Sequence, residues 1–191
     1  MKTVFALSFM VLSTLAVAQQ DVPAHPYVRF ETTEGNIVVE LDGRRAPLTV
    51  KNFLALVDSG YFDGTIFHRV IPGFMIQGGG YTPGLKSKEP DGELANESGN
   101  GLRNLRGTIA MARRSDPHTA VAQFYINLAD NPSLDPQPDH WGYAVFGVVI
   151  EGADTVERIA ESPTGPAGQF SKDVPIVPVV IKKAVRFEYG S

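Results

Sequence analysis

Apolar and polar residues alternate in several short stretches of this chain, as half-buried β-strands require. Residues 27–31 and 37–41 carry apolar side chains near every second position and are separated by Thr33-Glu-Gly-Asn36, which predicts a β-hairpin. Strand-like stretches follow at 65–70, 74–77, 108–112, 123–127, 143–150 and 177–188. The pattern therefore predicts eight short strands.

Two further segments have apolar residues at helical spacing. Their apolar positions are Val50, Phe53, Leu54 and Val57 in the first segment, and Ala153, Val156, Ile159 and Ala160 in the second. The first segment has Pro47 near its start and Gly60 just beyond its end, which are usual helix boundaries. Eight antiparallel strands are enough to close a barrel whose interior is filled by side chains. We therefore expect a mainly β fold, a closed eight-stranded antiparallel β-barrel with two α-helices covering its ends.

Residues 1–18 differ in character from the rest of the chain. Lys2 provides a positive start, an almost wholly apolar run follows from Val4, and Ala16 and Ala18 are small residues at the cleavage-recognition positions. This arrangement is typical of a secretory signal peptide, and the run is short of the roughly 20 residues of a membrane-spanning helix. We expect cleavage after Ala18, a single domain over residues 19–191, and export to the periplasm or the cell exterior.

Composition and charge exclude several classes of function. The chain has no cysteine, so thiol chemistry, disulfides and lipid attachment through cysteine are excluded. Its formal charge of −4 becomes −5 when Lys2 is removed with the signal peptide. This balance does not favour nucleic acid as a partner. We expect a monomer that is not inserted in a membrane after processing.

The segment from Phe67 to Gly79 carries the most informative chemistry. Its two extended pieces are joined by a turn at 72–73, which brings Arg69 and Gln77 close together beside the apolar Phe74 and Met75. A cation and an amide beside an apolar surface suit a peptide bond that precedes proline.

The stretch 123–127 shows the same division into two faces. Alternation places Gln123 and Tyr125 on one face and Phe124 and Ile126 on the other, so we expect a groove face and a core face. We assign Phe67, Phe124 and Phe146 to the barrel core, and Phe74 and Tyr125 to a pocket. Long loops at 79–106 and 128–142 are candidates for functional segments.

Other kinds of site are not supported by the sequence. The four histidines lack the spacing of a metal site, and strand alternation points His68 away from Arg69. Gly78-Gly-Gly80 lacks the residues that follow in a phosphate-binding loop, and no serine lies in a Gly-x-Ser-x-Gly elbow. Asp135 and Asp139 do not match the spacing of a calcium loop. We therefore expect neither a metal nor a cofactor.

Four sequence blocks together resemble the signature blocks of cyclophilins, in order and with compatible spacing. They are residues 67–79, Gly107-Thr-Ile-Ala-Met-Ala112, Gln123-Phe-Tyr-Ile126 and Tyr143-Ala-Val-Phe-Gly147. The resemblance covers about residues 27–190, and it is strongest to the bacterial periplasmic cyclophilins, which share the Ala112-Arg113 step and a tyrosine in the last block. It implies peptidyl-prolyl cis/trans isomerase activity on proline-containing segments of unfolded or flexible chains, without a cofactor.

The resemblance also implies roles for individual residues. The catalytic arginine of the family falls on Arg69, and its groove glutamine falls on Gln77. The remaining positions implied in substrate binding are Phe74, Met75, Tyr125 and Leu134 in the proline pocket, Ala112, Arg113 and Gln123 along the groove, and Tyr143 at the rim.

Three positions depart from the common pattern of the family. Ser133 stands where many members have tryptophan or phenylalanine, Tyr143 replaces a rim histidine, and Tyr125 replaces a phenylalanine of the pocket wall. An indole at the first position contributes to tight binding of the inhibitor cyclosporin in other members. We therefore expect weak inhibition here, unless Trp141 in the same loop replaces the missing ring.

Two functions fit these observations. The first is an isomerase that assists the folding of exported proteins, since uncatalysed isomerisation takes tens of seconds or more. The second is a proline-peptide binding module or holdase chaperone without significant turnover. Arg69 and Gln77 together favour the enzyme, because a pure binder needs the apolar pocket more than it needs the cation.

Overall fold

The computed structural model describes residues 22–88, 90 and 92–189, and its strands form one closed barrel and one separate hairpin. The strands are β1 (Tyr27–Thr32), β2 (Asn36–Leu41), β3 (Thr65–Ile71), β4 (Met75–Gly78), β5 (Thr108–Met111), β6 (Phe124–Asn127), β7 (Val145–Glu151), β8 (Thr164–Ala167), β9 (Phe170–Pro175) and β10 (Val179–Phe187). Eight of them follow the order β1-β10-β3-β4-β6-β5-β7-β2 around the barrel. The predicted mainly β fold with an eight-stranded antiparallel barrel is confirmed.

Closure of the barrel depends on the first and last strands of the domain. The strand β1 pairs with β2 on one side and with β10 on the other, antiparallel in both cases. Each barrel strand therefore has a hydrogen-bonded partner along both edges, and no open edge of the barrel is left to pair with another chain.

Two helices complete the barrel core. Helix α1 covers Pro47–Asp58 and helix α2 covers Ala153–Ala160. The buried faces of both helices belong to the same hydrophobic cluster as the residues inside the barrel. The residue before α1, Ala46, offers no side-chain cap, and the carboxylate of Glu97 takes that role from the long loop. Glu97 accepts hydrogen bonds from the backbone N–H groups of Leu48 (3.1 Å) and Thr49 (2.8 Å).

Six phenylalanine side chains fill the centre of the molecule. They are Phe30, Phe53, Phe62, Phe67, Phe124 and Phe146, and all are fully buried. The rings of Phe30 and Phe124 stack with centroids 5.2 Å apart, and Phe53 of α1 lies 4.9 Å from Phe146. Such ring pairs contribute beyond the area that they bury. The assignment of Phe67, Phe124 and Phe146 to the core is confirmed.

The hairpin of β8 and β9 was not predicted from the sequence. It pairs only with itself and packs against β3 on the outside of the barrel, where Phe170 meets His68 with ring centroids 5.7 Å apart. The predicted signal peptide over residues 1–18 lies outside the described residues. Within the described part of the chain, no helix has the length and apolar character needed to cross a membrane.

Candidate functional site

Three of the predicted site residues lie in one row that crosses four neighbouring strands. Arg69 on β3 is the direct partner of Gln77 on β4, Gln77 is opposite Tyr125 on β6, and Tyr125 is opposite Ala110 on β5. Phe67, Phe124 and Ile126, on the same strands, belong to the barrel core instead. The row therefore lies on the outer face, and the division of 123–127 into core and groove faces agrees with the sequence pattern.

This row borders a pocket of about 220 Å³. The pocket is lined by Arg69, Phe74, Met75, Gln77, Ala112, Arg113, Tyr125, Leu134 and Tyr143. These are nine of the ten residues that the sequence singled out, and Gln123 lies immediately beside them. The structure brings them together, while their individual roles in binding and catalysis stay predictions.

The floor of the pocket is a small hydrophobic cluster separate from the barrel core. Its buried members are Met75, Ala110, Tyr125 and Val145, with Phe74, Leu134 and Tyr143 among the partly buried side chains packed against it. The methyl side chain of Ala110 leaves room on the outer face of the sheet. The resulting cavity is apolar at its base and polar at its Arg69 and Gln77 side.

A network of buried amides fixes the pocket wall from behind. The hydroxyl of Tyr125 donates to Asn104 Oδ1 at 2.7 Å, and Asn104 donates from its backbone and side chain to Asp135 Oδ1 at 2.7 and 2.9 Å. Asn131 donates to Asn127 Oδ1 (2.7 Å) and to the carbonyl of Phe74 (2.9 Å). Sequence reasoning missed these asparagines, because alternation gives no signal for a polar residue that is buried and fully hydrogen-bonded.

Burial at this position keeps Tyr125 protonated. Burial raises the pKa of its phenol well above the usual value, and Tyr143 and Asp135 nearby raise it further, while Arg113 opposes them. The hydroxyl is therefore a hydrogen-bond donor throughout the physiological pH range. It links Tyr125 to Asn104 behind the pocket wall.

Arg113 builds the rim of the pocket. Its guanidinium lies over the ring of Tyr143, 4.6 Å from the centroid, and donates to the carbonyl of Trp141 at 2.7 Å and of Gly142 at 3.3 Å. These contacts tie the loop before β7 to the segment after β5. The orientation of Tyr143 at the rim thus depends on Arg113.

A second cavity continues from the first one on the side of Gln77. It measures about 210 Å³ and shares Gln77, Ala112 and Arg113 with the first pocket. Gln123 lies on its wall and accepts a hydrogen bond from Gln77 Nε2 at 3.0 Å. The two cavities form a continuous groove in which the Gln77 side chain is held by Gln123.

A bulge in β3 sets the orientation of Arg69. The pairing with β4 shifts register between Phe67 and Arg69, and Phe67 and Val70 both belong to the barrel core. The regular alternation expected from the sequence, which puts His68 and Arg69 on opposite faces, is therefore interrupted. Both side chains instead contact β9: His68 contacts Phe170, and Arg69 Nε lies 3.9 Å from Asp173 Oδ2.

His68 is enclosed beneath the β8–β9 hairpin. Only 2% of its surface is exposed, its ring lies against Tyr81 and Phe170, and its Nδ1 atom has no hydrogen-bond partner. The pKa of His68 is lowered to about 4, mainly by burial and in smaller part by the positive charge of Arg69, while a hydrogen bond with the Ile66 backbone partly opposes them. His68 is thus a neutral packing residue at pH 7.

The loop residues Ser133 and Trp141 lie outside the pocket lining. Ser133 is on a short 3-10 helix, Pro132–Leu134, with its side chain exposed. Trp141 is 48% exposed, with its ring 5.4 Å from His118. In this structure the indole lies beside His118 and does not line the pocket. Among the described residues, no group of three His, Cys, Asp or Glu side chains is placed to hold a metal ion.

Comparison with known proteins gives consistent matches over almost the whole described domain. Residues 27–185 match the family described as cyclophilin type peptidyl-prolyl cis-trans isomerase/CLD. The chain is 53% identical over 160 residues to peptidyl-prolyl cis-trans isomerase cyp18 of Streptomyces antibioticus, covering 82% of this chain and 96% of that protein. It is 49% identical over 158 residues to peptidyl-prolyl cis-trans isomerase A of Dickeya dadantii, covering 83% of each.

A solved structure shows the same fold. The cyclophilin type peptidyl-prolyl cis-trans isomerase of Cryptosporidium parvum, crystallised in the presence of the dipeptide Ala-Pro, matches with a TM-score of 0.69 and 31% sequence identity. The match covers 85% of this chain and 99% of that one.

Proposed function

The chain belongs to the cyclophilin-type peptidyl-prolyl cis-trans isomerases, and we propose that the pocket beside Arg69 and Gln77 is where it accelerates rotation about Xaa-Pro bonds. One observation carries this proposal: Arg69 and Gln77 are direct cross-strand partners at the polar side of an apolar pocket. A cation, an amide and an apolar cavity are thus within reach of one dipeptide.

The reaction is rotation about an amide bond, and no covalent bond is broken. Its barrier of about 18–20 kcal/mol reflects the partial double-bond character of the C–N bond. In the twisted transition state this conjugation is lost, so the proline nitrogen becomes a hydrogen-bond acceptor. A guanidinium beside that nitrogen stabilises the twisted state more than either planar isomer, and such differential binding lowers the barrier.

The other pocket residues divide the remaining tasks. Phe74, Met75 and Leu134 hold the pyrrolidine ring at the apolar base, so that the residue before proline is the part that swings. Gln77, fixed by its hydrogen bond to Gln123, binds the backbone of the substrate next to the proline. Arginine suits its position because its guanidinium stays charged at all relevant pH values.

The substrates we propose are proline-containing segments of unfolded or flexible polypeptides. The open groove supports this proposal because an extended chain can enter from either side. A structure of the Cryptosporidium parvum relative was determined in the presence of the dipeptide Ala-Pro, which is in keeping with such a ligand. Xaa-Pro isomerisation limits the folding of many chains, so catalysis at this site would assist folding.

We also propose that the clients are exported proteins and that the enzyme acts in the periplasm. The support is the signal-like pattern of residues 1–18, with Ala16 and Ala18 before the expected cleavage point. Intact-mass measurement on protein recovered from the cell envelope tests this. We expect a chain beginning at Gln19, and a mass that still includes residues 1–18 would reject the proposal.

A protease-coupled isomerisation assay on an Ala-Pro tetrapeptide tests the role of Arg69. We expect Arg69→Ala to lower kcat at least about a hundredfold, the scale of losing one preorganised donor, with a much smaller change in peptide affinity. Arg186→Ala is a matched control, since Arg69 and Arg186 are 43% and 44% exposed and each faces an aspartate through Nε. A transition-state role would be contradicted if Arg69→Ala turned over as fast as the wild type, or if it lost affinity and rate equally. If the wild-type protein itself showed no turnover, the holdase function would be favoured.

A further inference from the structure

We propose that Asp173 is a positioning residue, which holds the guanidinium of Arg69 in the orientation that faces the substrate. This inference rests on the proposed function of Arg69. Asp173 belongs to β9, 104 positions away along the chain, and neither β8 nor β9 pairs with a barrel strand. The hairpin therefore brings to the pocket a carboxylate that the barrel does not supply.

The carboxylate approaches one edge of the guanidinium. Asp173 Oδ2 lies 3.9 Å from Arg69 Nε. This distance is too long for a hydrogen bond but short enough for an ion pair. Among the described residues, Arg69 makes no other hydrogen bond or ion pair. With the negative charge at the Nε edge, the two Nη groups at the opposite end are left for the pocket.

The position of Asp173 is set by an unusual backbone conformation. Its φ angle is +68°, and Leu85 is the only other non-glycine residue of the described chain with a positive φ. Aspartate and asparagine tolerate this region better than most residues. Positive-φ residues are found at functional sites among other places, and here this conformation accompanies the approach of the Asp173 carboxylate to Arg69 of β3.

The burial of Asp173 makes its charge effective. Its side chain is 19% exposed, whereas Asp58, which pairs with Arg186, is 51% exposed. Solvent screens a half-exposed pair strongly and a mostly buried carboxylate less. Lys172 Nζ also lies 3.9 Å from Asp173 Oδ2, but its side chain is 76% exposed, so solvent screens its charge strongly.

The test is a double-mutant cycle on steady-state kinetics. Asp173→Asn keeps the shape and the backbone preference of the side chain and removes its charge. We expect kcat to fall on the order of fivefold with KM nearly constant, in the range of one partly buried charge contact. In the Arg69→Ala background the same substitution should change neither parameter.

Matched variants separate this inference from a structural role and from the proposed function. Asp58→Asn, which breaks an arginine–aspartate pair that does not line the pocket, should leave kcat unchanged. If Asp173→Asn lowers kcat equally in the wild-type and Arg69→Ala backgrounds, Asp173 acts on hairpin stability alone. If kcat is unchanged or increased in the wild-type background, the positioning role is overturned. If Arg69→Ala lowers kcat strongly and Asp173→Asn has no effect, only this inference is overturned. If Arg69→Ala leaves turnover unchanged, the proposed function itself is overturned.

Discussion

Acidification should destabilise the protein through His68, because the folded state cannot easily protonate this ring. The pKa of His68 is lowered to about 4 in the folded protein, mainly by burial, against about 6.5 in an unfolded chain. Below about pH 6.5 the unfolded state therefore binds a proton that the folded state does not. The neutral His68 ring therefore makes its full contribution to the stability of the folded state above about pH 6.5, and this contribution is lost as the pH falls towards 4.

The size of this effect follows from the two pKa values. A full difference of about 2.5 units corresponds to about 3 kcal/mol, at about 1.4 kcal/mol for each unit. At pH 5 the unfolded histidine is almost wholly protonated and the folded one is mostly neutral, which gives a loss of about 2 kcal/mol relative to pH 7.5. With 2% of its surface exposed, His68 has almost no solvent screening to reduce this figure.

Urea unfolding followed by far-UV circular dichroism measures the effect at both pH values. Circular dichroism is preferable to tryptophan fluorescence, because the only tryptophan, Trp141, is half exposed in the native state. His68→Phe keeps an aromatic ring between Tyr81 and Phe170 but cannot titrate. The wild type should lose about 2 kcal/mol more than this variant between pH 7.5 and pH 5, and parallel pH profiles of the two proteins would refute the reasoning.

Two further predictions concern the long loops. Glu97→Ala should lower the free energy of unfolding by about 1–2 kcal/mol without changing kcat, because it removes the acceptor for the backbone N–H groups at the start of α1. Urea titration measures the change in stability and the isomerase assay measures kcat. An unchanged urea midpoint would contradict the capping role. Cyclosporin should inhibit the wild type weakly, and Ser133→Trp should strengthen binding by about one to two orders of magnitude through the apolar area that an indole covers. Trp141→Ala should leave inhibition of the wild type unchanged, and nanomolar inhibition that this variant abolishes would show that the loop indole does replace the missing ring.

The period of the hydrophobic pattern predicts the barrel well because every barrel strand has one face on a common core. Residues 124 and 126 point into that core and 123 and 125 away from it, so alternation alone separates core from groove at these positions. The eight barrel strands accordingly agree with the sequence prediction to within about two residues at each end.

The hairpin of β8 and β9 escapes prediction for the opposite reason. Thr164–Ala167 and Phe170–Pro175 contain glycine, proline and charged residues, and most of their side chains are at least partly exposed. Without a buried face they have no period of two to detect. The approach of Asp173 to Arg69 is equally invisible, since it depends on a positive φ and on contact between distant segments. The buried Asn104 and Asn127 are recognisable only once their partners are placed in three dimensions.

The seam between β1 and β10 has a consequence for how the molecule is made. Of the barrel strands β1 is synthesised first, but one of its two edges has no partner until residues 179–187 have been produced. A partly synthesised chain is therefore an open sheet. Closure joins segments separated by almost the whole domain, which makes folding intrinsically slow. Loss of the last strand would leave β1 and β3 with exposed edges able to pair with other chains. The barrel is thus complete only when its final strand is present.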